Sequence, residues 1–168
     1  VGKDMSLKIA IIGAGSVYTP EIIEGLAQSK EKLPVTELTL MDINPDRLEI
    51  MYNFLNRYKK FHQLSFAIRK TENLEEAVKG QDFILTQIRV GGNQARIHDE
   101  KIPLKYDVIG QETTGPGGYM KALRTIPAIV EIAKAVEKHN PEAWLINYAN
   151  PTGILAEAVR NYTKTKFI

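Results

Sequence analysis

The chain has 168 residues, 43% of them hydrophobic and 25% charged, with 22 Lys and Arg against 20 Asp and Glu and no cysteine. This length and composition are typical of one folded domain, and they exclude a disordered tail, a disulfide-stabilised scaffold and a cysteine-bound metal site within these residues. The net charge of +2 argues against a nucleic-acid partner, and without a bilayer-length apolar run or a signal-peptide pattern we expect a cytoplasmic protein with no membrane partner.

Apolar runs and helical patterns alternate along the first half of the chain. Residues 1–7 are interpreted as a lead-in, with Met5 as a candidate native start. Buried strands are predicted from short apolar runs at residues 8–12, 37–41, 65–69 and 82–86. Helices are predicted between these strands, from Thr19 with Pro20 in its first turn, from Asn44 with Pro45, and over residues 73–79.

The second half begins with a polar, glycine-rich stretch over residues 89–119, which we interpret as a loop. The pattern then predicts a helix over 122–139 with a kink at Pro127, a strand over 143–146, a helix over 152–162 and an extended segment from 166. Strands that alternate with helices pair in parallel through right-handed crossovers. Residues 8–168 are therefore predicted to form one α/β domain with a doubly wound parallel sheet.

The turn after the first strand carries two glycines that suit a dinucleotide. Gly13 and Gly15 would let the backbone approach a diphosphate at the N-terminus of the following helix, as in a Rossmann-like domain. Asp42, after the second strand, can accept hydrogen bonds from ribose hydroxyls and would repel a 2′-phosphate, which favours NAD over NADP. However, Tyr18 replaces the third glycine, and Asp42 lies 27 residues after Gly15 instead of about 20. The alternative is a turn that binds nothing, or a different adenosine ligand.

Polar residues also follow the fourth strand, where open α/β sheets bind ligands. Arg96 could hold a phosphate or a carboxylate through its planar guanidinium. The alternative is purely structural, with Arg89 and Arg96 paired to acids such as Asp99 and Glu100. Glu112 has the alternative interpretation of a helix N-terminal acid or a solvated loop residue.

The segment after the fifth strand contains Asn147 and Asn150, which are either ligand contacts or ordinary turn residues. No spacing of His, Asp and Glu resembles a metal site, so no metal ligand is predicted within this chain.

Five segments form a distinctive series along the chain. They are residues 13–20 (GAGSVYTP), 88–91 (IRVG), 99–106 (DEKIPLKY), 109–118 (IGQETTGPGG) and 147–151 (NYANP). In this order they resemble the N-terminal part of the family-4 glycoside hydrolases, and most of all the 6-phospho-β-glucosidases of that family. The resemblance covers residues 8–168.

This resemblance implies an enzyme that binds NAD⁺ and a divalent metal, typically manganese. In such enzymes, hydride transfer from sugar carbon 3 to NAD⁺ acidifies the proton on carbon 2, a tyrosine removes that proton, the aglycone is eliminated, water adds and carbon 3 is reduced again. The resemblance gives Glu112 the catalytic role of an acid that raises the basicity of the tyrosine. It implies substrate contacts at Arg96 and Asn150. It implies cofactor contacts at Gly13, Gly15, Ser16, Val17 and Asp42, and more weakly at Arg89 and Asn147.

The family's metal ligands and its tyrosine base follow the region matched here. The resemblance therefore implies a longer enzyme, with metal ligands beyond Ile168 and a second, catalytic and dimerisation domain, that acts on a phosphorylated disaccharide as a homo-oligomer. This chain alone is expected to be inactive. Three alternatives stay open: a lactate/malate-type NAD-dependent dehydrogenase, a 6-phospho-α-glycosidase or α-galactosidase of the same family, and a non-catalytic nucleotide-sensing module.

Overall fold

A computed structural model describes residues 6–168, and strands and helices alternate throughout this part of the chain. The strands are β1 (Leu7–Ile12), β2 (Val35–Met41), β3 (Ala67–Thr71), β4 (Phe83–Thr86), β5 (Trp144–Asn147) and β6 (Lys166–Phe167). The helices are α1 (Thr19–Gln28), α2 (Pro45–Phe61), α3 (Leu74–Val78), α4 (Gly92–Leu104), α5 (Gly115–His139) and α6 (Thr152–Tyr162). The interpretation of residues 1–5, including Met5, lies outside the described residues, and Leu7 already belongs to β1.

The six described strands form one parallel sheet in the order β3-β2-β1-β4-β5-β6. This confirms the predicted doubly wound α/β fold. The strand order reverses between β1 and β4, which creates the crevice where such sheets bind ligands. The register also aligns the strand ends, because Ile12 pairs with Met41 and Thr86, and Thr86 pairs with Asn147. The loops that follow β1, β2, β4 and β5 therefore leave the sheet at one level.

The core consists of two apolar layers, one on each face of the sheet. Successive residues of β1 point to opposite faces, so Ile9 and Ile11 pack with α1 and α2, while Ala10 and Ile12 pack with α3, α5 and α6. Because both faces are covered, β1 and β4 contain continuous apolar runs, at residues 9–12 and 83–85, instead of alternating ones. None of the helices within residues 6–168 is long and apolar enough to cross a membrane.

The predicted loop over residues 89–119 is wrong, because α4 fills its centre and α5 begins at Gly115. The helical signal of α4 is weak, since only Asp99 and Pro103 are buried along its length. Tertiary contacts stabilise this helix instead: Arg124 of α5 donates to the Asp99 carboxylate, with 2.9 Å between Nη1 and Oδ1. In the first turn of α5, Gly117 and Gly118 are required because the neighbouring backbone leaves no room for side chains. A Cβ on Gly117 would lie 2.2 Å from the Gln111 carbonyl oxygen.

Two other predictions differ in detail. Strand β3 begins two residues later than predicted, at Ala67, because it is an edge strand with little buried surface and its position is set by pairing Glu37 with Ala67. Helix α5 begins at Gly115 instead of residue 122 and is continuous through Pro127, where the kink stays a prediction.

Candidate functional site

The glycine turn after β1 is held in a conformation that only glycine adopts easily. Gly13 has a φ of +85°, and the N–H groups of Gly13 and Ala14 both donate to the Met41 carbonyl at 2.9 Å. Gly15 is required for space: a Cβ there would lie 2.7 Å from the Arg47 Cβ and 2.9 Å from the Asp42 Oδ2. The turn is thus closed tightly against the end of β2.

Asp42 fixes this turn directly. Its Oδ2 accepts a hydrogen bond from the Gly15 N–H at 2.8 Å, and its Oδ1 accepts one from the Asn44 N–H at 2.9 Å. Each carboxylate oxygen has a second lone pair, so the group can still accept hydrogen bonds from a ribose. The structure therefore brings together Gly13, Gly15 and Asp42, in spite of the long spacing between the last two.

The N-terminus of α1 offers backbone donors beside the glycine turn. The Ser16 N–H donates to the Gly13 carbonyl at 3.1 Å, and the Ser16 hydroxyl accepts from the Tyr18 N–H at 3.2 Å. Val17 is 83% exposed, and within residues 6–168 its N–H has no hydrogen-bond acceptor. A free N–H at the start of a helix that lacks a side-chain cap is suited to a phosphate oxygen.

A buried hydroxyl links this turn to β4. The Thr19 hydroxyl, which is fully buried, donates to the Ala14 carbonyl at 2.7 Å and accepts a hydrogen bond from the Gln87 amide at 2.5 Å. Sequence reasoning missed both residues, because a threonine at a helix start and a glutamine after a strand carry no distinctive signal. Together they hold the glycine turn next to the loop that follows β4.

Several charged side chains meet near the loop after β4. They come from that loop, from α4, from the segment that leads into α5 and from α5 itself, and we call them the charged cluster: Arg89, Arg96, Glu100, Glu112 and Lys121. Glu112 is at its centre: Arg89 Nη1 lies 3.4 Å from Oε1, Arg96 Nη2 lies 3.6 Å from Oε2, and Lys121 donates to Oε1. Arg96 Nε also donates to Glu100 at 2.7 Å. The predicted residues Arg89, Arg96 and Glu112 are therefore in contact.

The structure shows which partners these residues have within the chain. Arg96 does pair with Glu100, as the structural alternative held, but it also contacts Glu112 and keeps 43% of its side chain exposed. Asp99 pairs with Arg124 and with neither of the two predicted arginines. Glu112 is neither a helix cap nor a solvated acid, because only 21% of its side chain is exposed and three cations surround it.

The ionisation of Glu112 follows from these contacts. Burial raises the pKa of this carboxyl, but the hydrogen bond from Lys121 and the positive charges of Lys121, Arg96 and Arg89 outweigh that effect and hold the pKa below its usual range. Glu112 is therefore ionised near neutral pH and is suited to an electrostatic role instead of proton donation.

Arg96 connects the charged cluster to the glycine turn. The pKa of its guanidinium is raised by the hydrogen bond to Glu100, by the charge of Glu112 and, to a smaller extent, by Tyr18. Tyr18 belongs to the glycine turn and is 57% exposed. Since β1 pairs with β4 and the Gln87 amide donates to the Thr19 hydroxyl, the glycine turn lies next to the loop that carries Arg89, at the carboxyl edge of the sheet.

The two asparagines after β5 differ in how much of their side chains is already used. The Asn147 Oδ1 accepts from the Thr86 hydroxyl at 2.9 Å and from the Ala149 N–H at 3.0 Å, and its amide donates to the Ala149 carbonyl at 2.8 Å. Asn147 is thus an anchor of its loop. Asn150 accepts from the Thr152 hydroxyl at 3.3 Å, while its own amide has no acceptor within residues 6–168 and is available to a ligand.

The part of the chain that the structure describes holds no group of three or more His, Cys, Asp or Glu side chains placed to bind a metal ion.

The residue of the charged cluster that sequence reasoning missed is Lys121. Its signal was its position, because it falls on the same helical stripe as the buried residues Thr125, Ile129 and Ile132 of α5.

Comparisons with known proteins show the family of this chain. The family model described as "Family 4 glycosyl hydrolase" matches residues 8–168. A probable 6-phospho-β-glucosidase from Bacillus subtilis is 49% identical over 162 residues, which is 95% of this chain and 37% of that protein. A 6-phospho-α-glucosidase from Lacticaseibacillus paracasei is 41% identical over 94% of this chain and 36% of its own length. The chain thus spans little more than a third of these relatives.

Solved structures give the same result. The Thermotoga maritima 6-phospho-β-glucosidase with manganese, NAD⁺ and glucose 6-phosphate superposes with a TM-score of 0.90 at 40% identity, over 96% of this chain and 39% of that one. A malate dehydrogenase from Plasmodium falciparum has a TM-score of 0.64 at 18% identity over 95% of this chain and 42% of that one, which indicates a shared fold alone.

Proposed function

We propose that this chain, which belongs to the family 4 glycosyl hydrolases, is the NAD⁺-binding part of a 6-phospho-β-glucosidase that hydrolyses phosphorylated β-glucosides. The observation that carries this proposal is the crevice at the carboxyl edge of the sheet. A glycine turn closed against Asp42 lies there beside the loop that carries Arg89 of the charged cluster, an arrangement suited to a dinucleotide and an anionic substrate side by side.

The glycine turn fits NAD⁺. Gly13 and Gly15 would let the diphosphate approach the backbone, the Ser16 and Val17 segment would supply N–H groups, and the Asp42 carboxylate would accept hydrogen bonds from the adenosine ribose. When bound, NAD⁺ would supply a hydride acceptor for sugar carbon 3, and the hydride would later be returned to the same carbon, so the overall reaction is hydrolysis.

The charged cluster fits the phosphorylated sugar. The exposed part of the Arg96 guanidinium and the free Asn150 amide are suited to hold the substrate, and we assign them that role. The ionised Glu112 carboxylate, fixed by Lys121, would raise the basicity of a nearby general base. Arg89 and the anchored Asn147 are proposed to face the nicotinamide end of the cofactor.

The proposal also includes a metal ion, a second domain and a preference for the β-anomer. Manganese is present in the Thermotoga maritima relative, but residues 6–168 gather no set of ligands for it, so no step is assigned to a metal here. We propose that its ligands, and a second domain, belong to a longer homo-oligomeric protein of the cytoplasm. The β-anomer preference is proposed because the Bacillus subtilis β-glucosidase relative is more similar than the α-glucosidase one.

Calorimetric titration of the chain with NAD⁺ and NADP⁺ tests the cofactor site. We expect NAD⁺ to bind more tightly, and binding of neither at millimolar concentration would contradict the proposal. For a longer protein that contains this chain, 4-nitrophenyl β-glucoside 6-phosphate should be cleaved without accumulation of NADH. Steady NADH production from a hydroxy acid would instead support a lactate/malate-type dehydrogenase.

A further inference from the structure

Lys121 is a buried lysine in the second turn of α5. The residue is only 5% exposed, and it donates to Glu112 Oε1. Lysine is almost never buried unless its charge is paired, because removal of the ammonium from water is costly. An apolar residue would pack better at this position, so the buried ammonium of Lys121 needs a reason other than packing.

The position of Lys121 relative to Glu112 is fixed by the backbone. Gly117 and Gly118, one turn earlier, pack so closely that a Cβ on Gly118 would lie 2.5 Å from the Thr113 carbonyl carbon. The segment that carries Glu112 is therefore pressed against the start of α5. The ion pair between Asp99 and Arg124 holds α4, the helix that carries Arg96, against α5.

The charges of the cluster do not cancel. Lys121, Arg89 and Arg96 are positive and Glu112 and Glu100 are negative, which leaves one positive charge in excess, while the neighbouring pair of Asp99 and Arg124 is neutral. Without Lys121 the cluster would be neutral, and Glu112 would be held by the two arginines alone.

The exposure of the cations separates their roles. The side chains of Arg96 and Arg89 are 43% and 34% exposed, whereas that of Lys121 is 6% exposed. A ligand in the crevice can touch the arginines but not the lysine. We propose that Lys121 is a positioning residue, which holds and neutralises Glu112 and so leaves Arg96 free to bind an anionic sugar phosphate. This inference rests on the proposed function for the identity of the ligand.

A charge-restoration experiment tests the proposal. Glucose 6-phosphate is titrated calorimetrically into the chain with saturating NAD⁺, in the wild type, Lys121→Met, Glu112→Gln and the double variant. Lys121→Met should weaken binding about tenfold or more, since one nearby charge is lost in a partly buried site. The double variant, which has the wild-type net charge, should return to within about threefold of the wild type.

Lys138→Met is the matched control. It removes the same charge from the far end of α5, where the Lys138 side chain is 64% exposed and pairs with Glu75, so affinity for glucose 6-phosphate should not change. Unchanged affinity in Lys121→Met, or a double variant as weak as Lys121→Met, would overturn the proposal.

A second measurement does not depend on the sugar. The Glu112 carboxyl carbon, assigned through Glu112→Gln, is followed by NMR during an acid titration. In Lys121→Met its midpoint should rise, because a hydrogen bond and a positive charge that favour the ionised carboxylate are lost, and an unchanged midpoint would overturn the proposal. If the wild type binds NAD⁺ but no glucose 6-phosphate, the sugar part of the proposed function fails, and the titration alone decides the role of Lys121.

Discussion

Gly15→Ala measures how tightly the glycine turn is packed against the end of β2. Gly15 does not have a positive φ, so alanine is compatible with its backbone and any effect comes from contacts. An added Cβ would lie 2.7 Å from the Arg47 Cβ and 2.9 Å from the Asp42 Oδ2, where ordinary contacts begin at 3.4 Å. Overpacking of this kind costs about 1–3 kcal/mol. Displacement of Asp42 would also weaken its hydrogen bond from the Gly15 N–H, which is charge-assisted.

We therefore expect Gly15→Ala to lower the free energy of unfolding by about 2 kcal/mol and to weaken NAD⁺ binding about tenfold or more, because the turn moves away from the ribose-binding acid. Urea denaturation measures the first effect and calorimetry the second. Gly25→Ala is the control: this helical glycine has no atom within 4 Å of an added Cβ, so alanine should stabilise the chain by about 0.5–1 kcal/mol. A Gly15→Ala chain with wild-type stability and wild-type NAD⁺ affinity would show that the turn is not packed tightly against Asp42 and Arg47.

Three further predictions concern charged residues. Asp42→Ala should weaken NAD⁺ binding more than NADP⁺ binding, since it removes a ribose acceptor and a charge that repels a 2′-phosphate; equal losses in calorimetry would contradict the ribose assignment. Arg124→Met leaves the buried Asp99 carboxylate unpaired and should cost about 3 kcal/mol in urea unfolding, and a loss below about 1 kcal/mol would show that the pair is not important. The pKa of Glu112 is lowered from 4.5 in the folded chain, so its contribution to stability is present above pH 4.5 and is lost as the pH falls through the folded pKa. In Glu112→Gln, the free energy of unfolding measured with urea should therefore fall less steeply below pH 4.5 than in the wild type. An equally steep fall in both would contradict this.

Most of the strands and helices could be predicted because their signals are local. The β1 run is apolar from Ile9 to Ile12 since both faces of the sheet are covered there, and the side chains of Asn44 and Asn73 accept hydrogen bonds from the backbone at the starts of α2 and α3. Helix α4 could not be predicted in this way. Its stability depends on Arg124, which is 25 residues away from Asp99 in sequence, and its own apolar pattern is weak.

The candidate site also contains residues that could be predicted from the sequence and one that could not. The two glycines of the turn and Asp42 were predicted from the order of strand, turn and helix, since a Gly-x-Gly turn and an acid after the next strand have a recognisable pattern. Lys121 was missed because a lysine in a helix normally lies in solvent. Its burial depends on the close approach of Gly117 and Gly118 to the preceding segment.

Local patterns were enough to predict the alternation of strands and helices, the glycine turn, and the resemblance that indicated the family, because each of these depends on residues close together in the chain. Which charges meet depends on the folded arrangement. It aligned the ends of β1, β4 and β5, paired Asp99 with Arg124 instead of Arg96, and brought three cations to Glu112. The interaction between charges depends on distance and burial, and neither quantity exists until the helices have packed against the sheet.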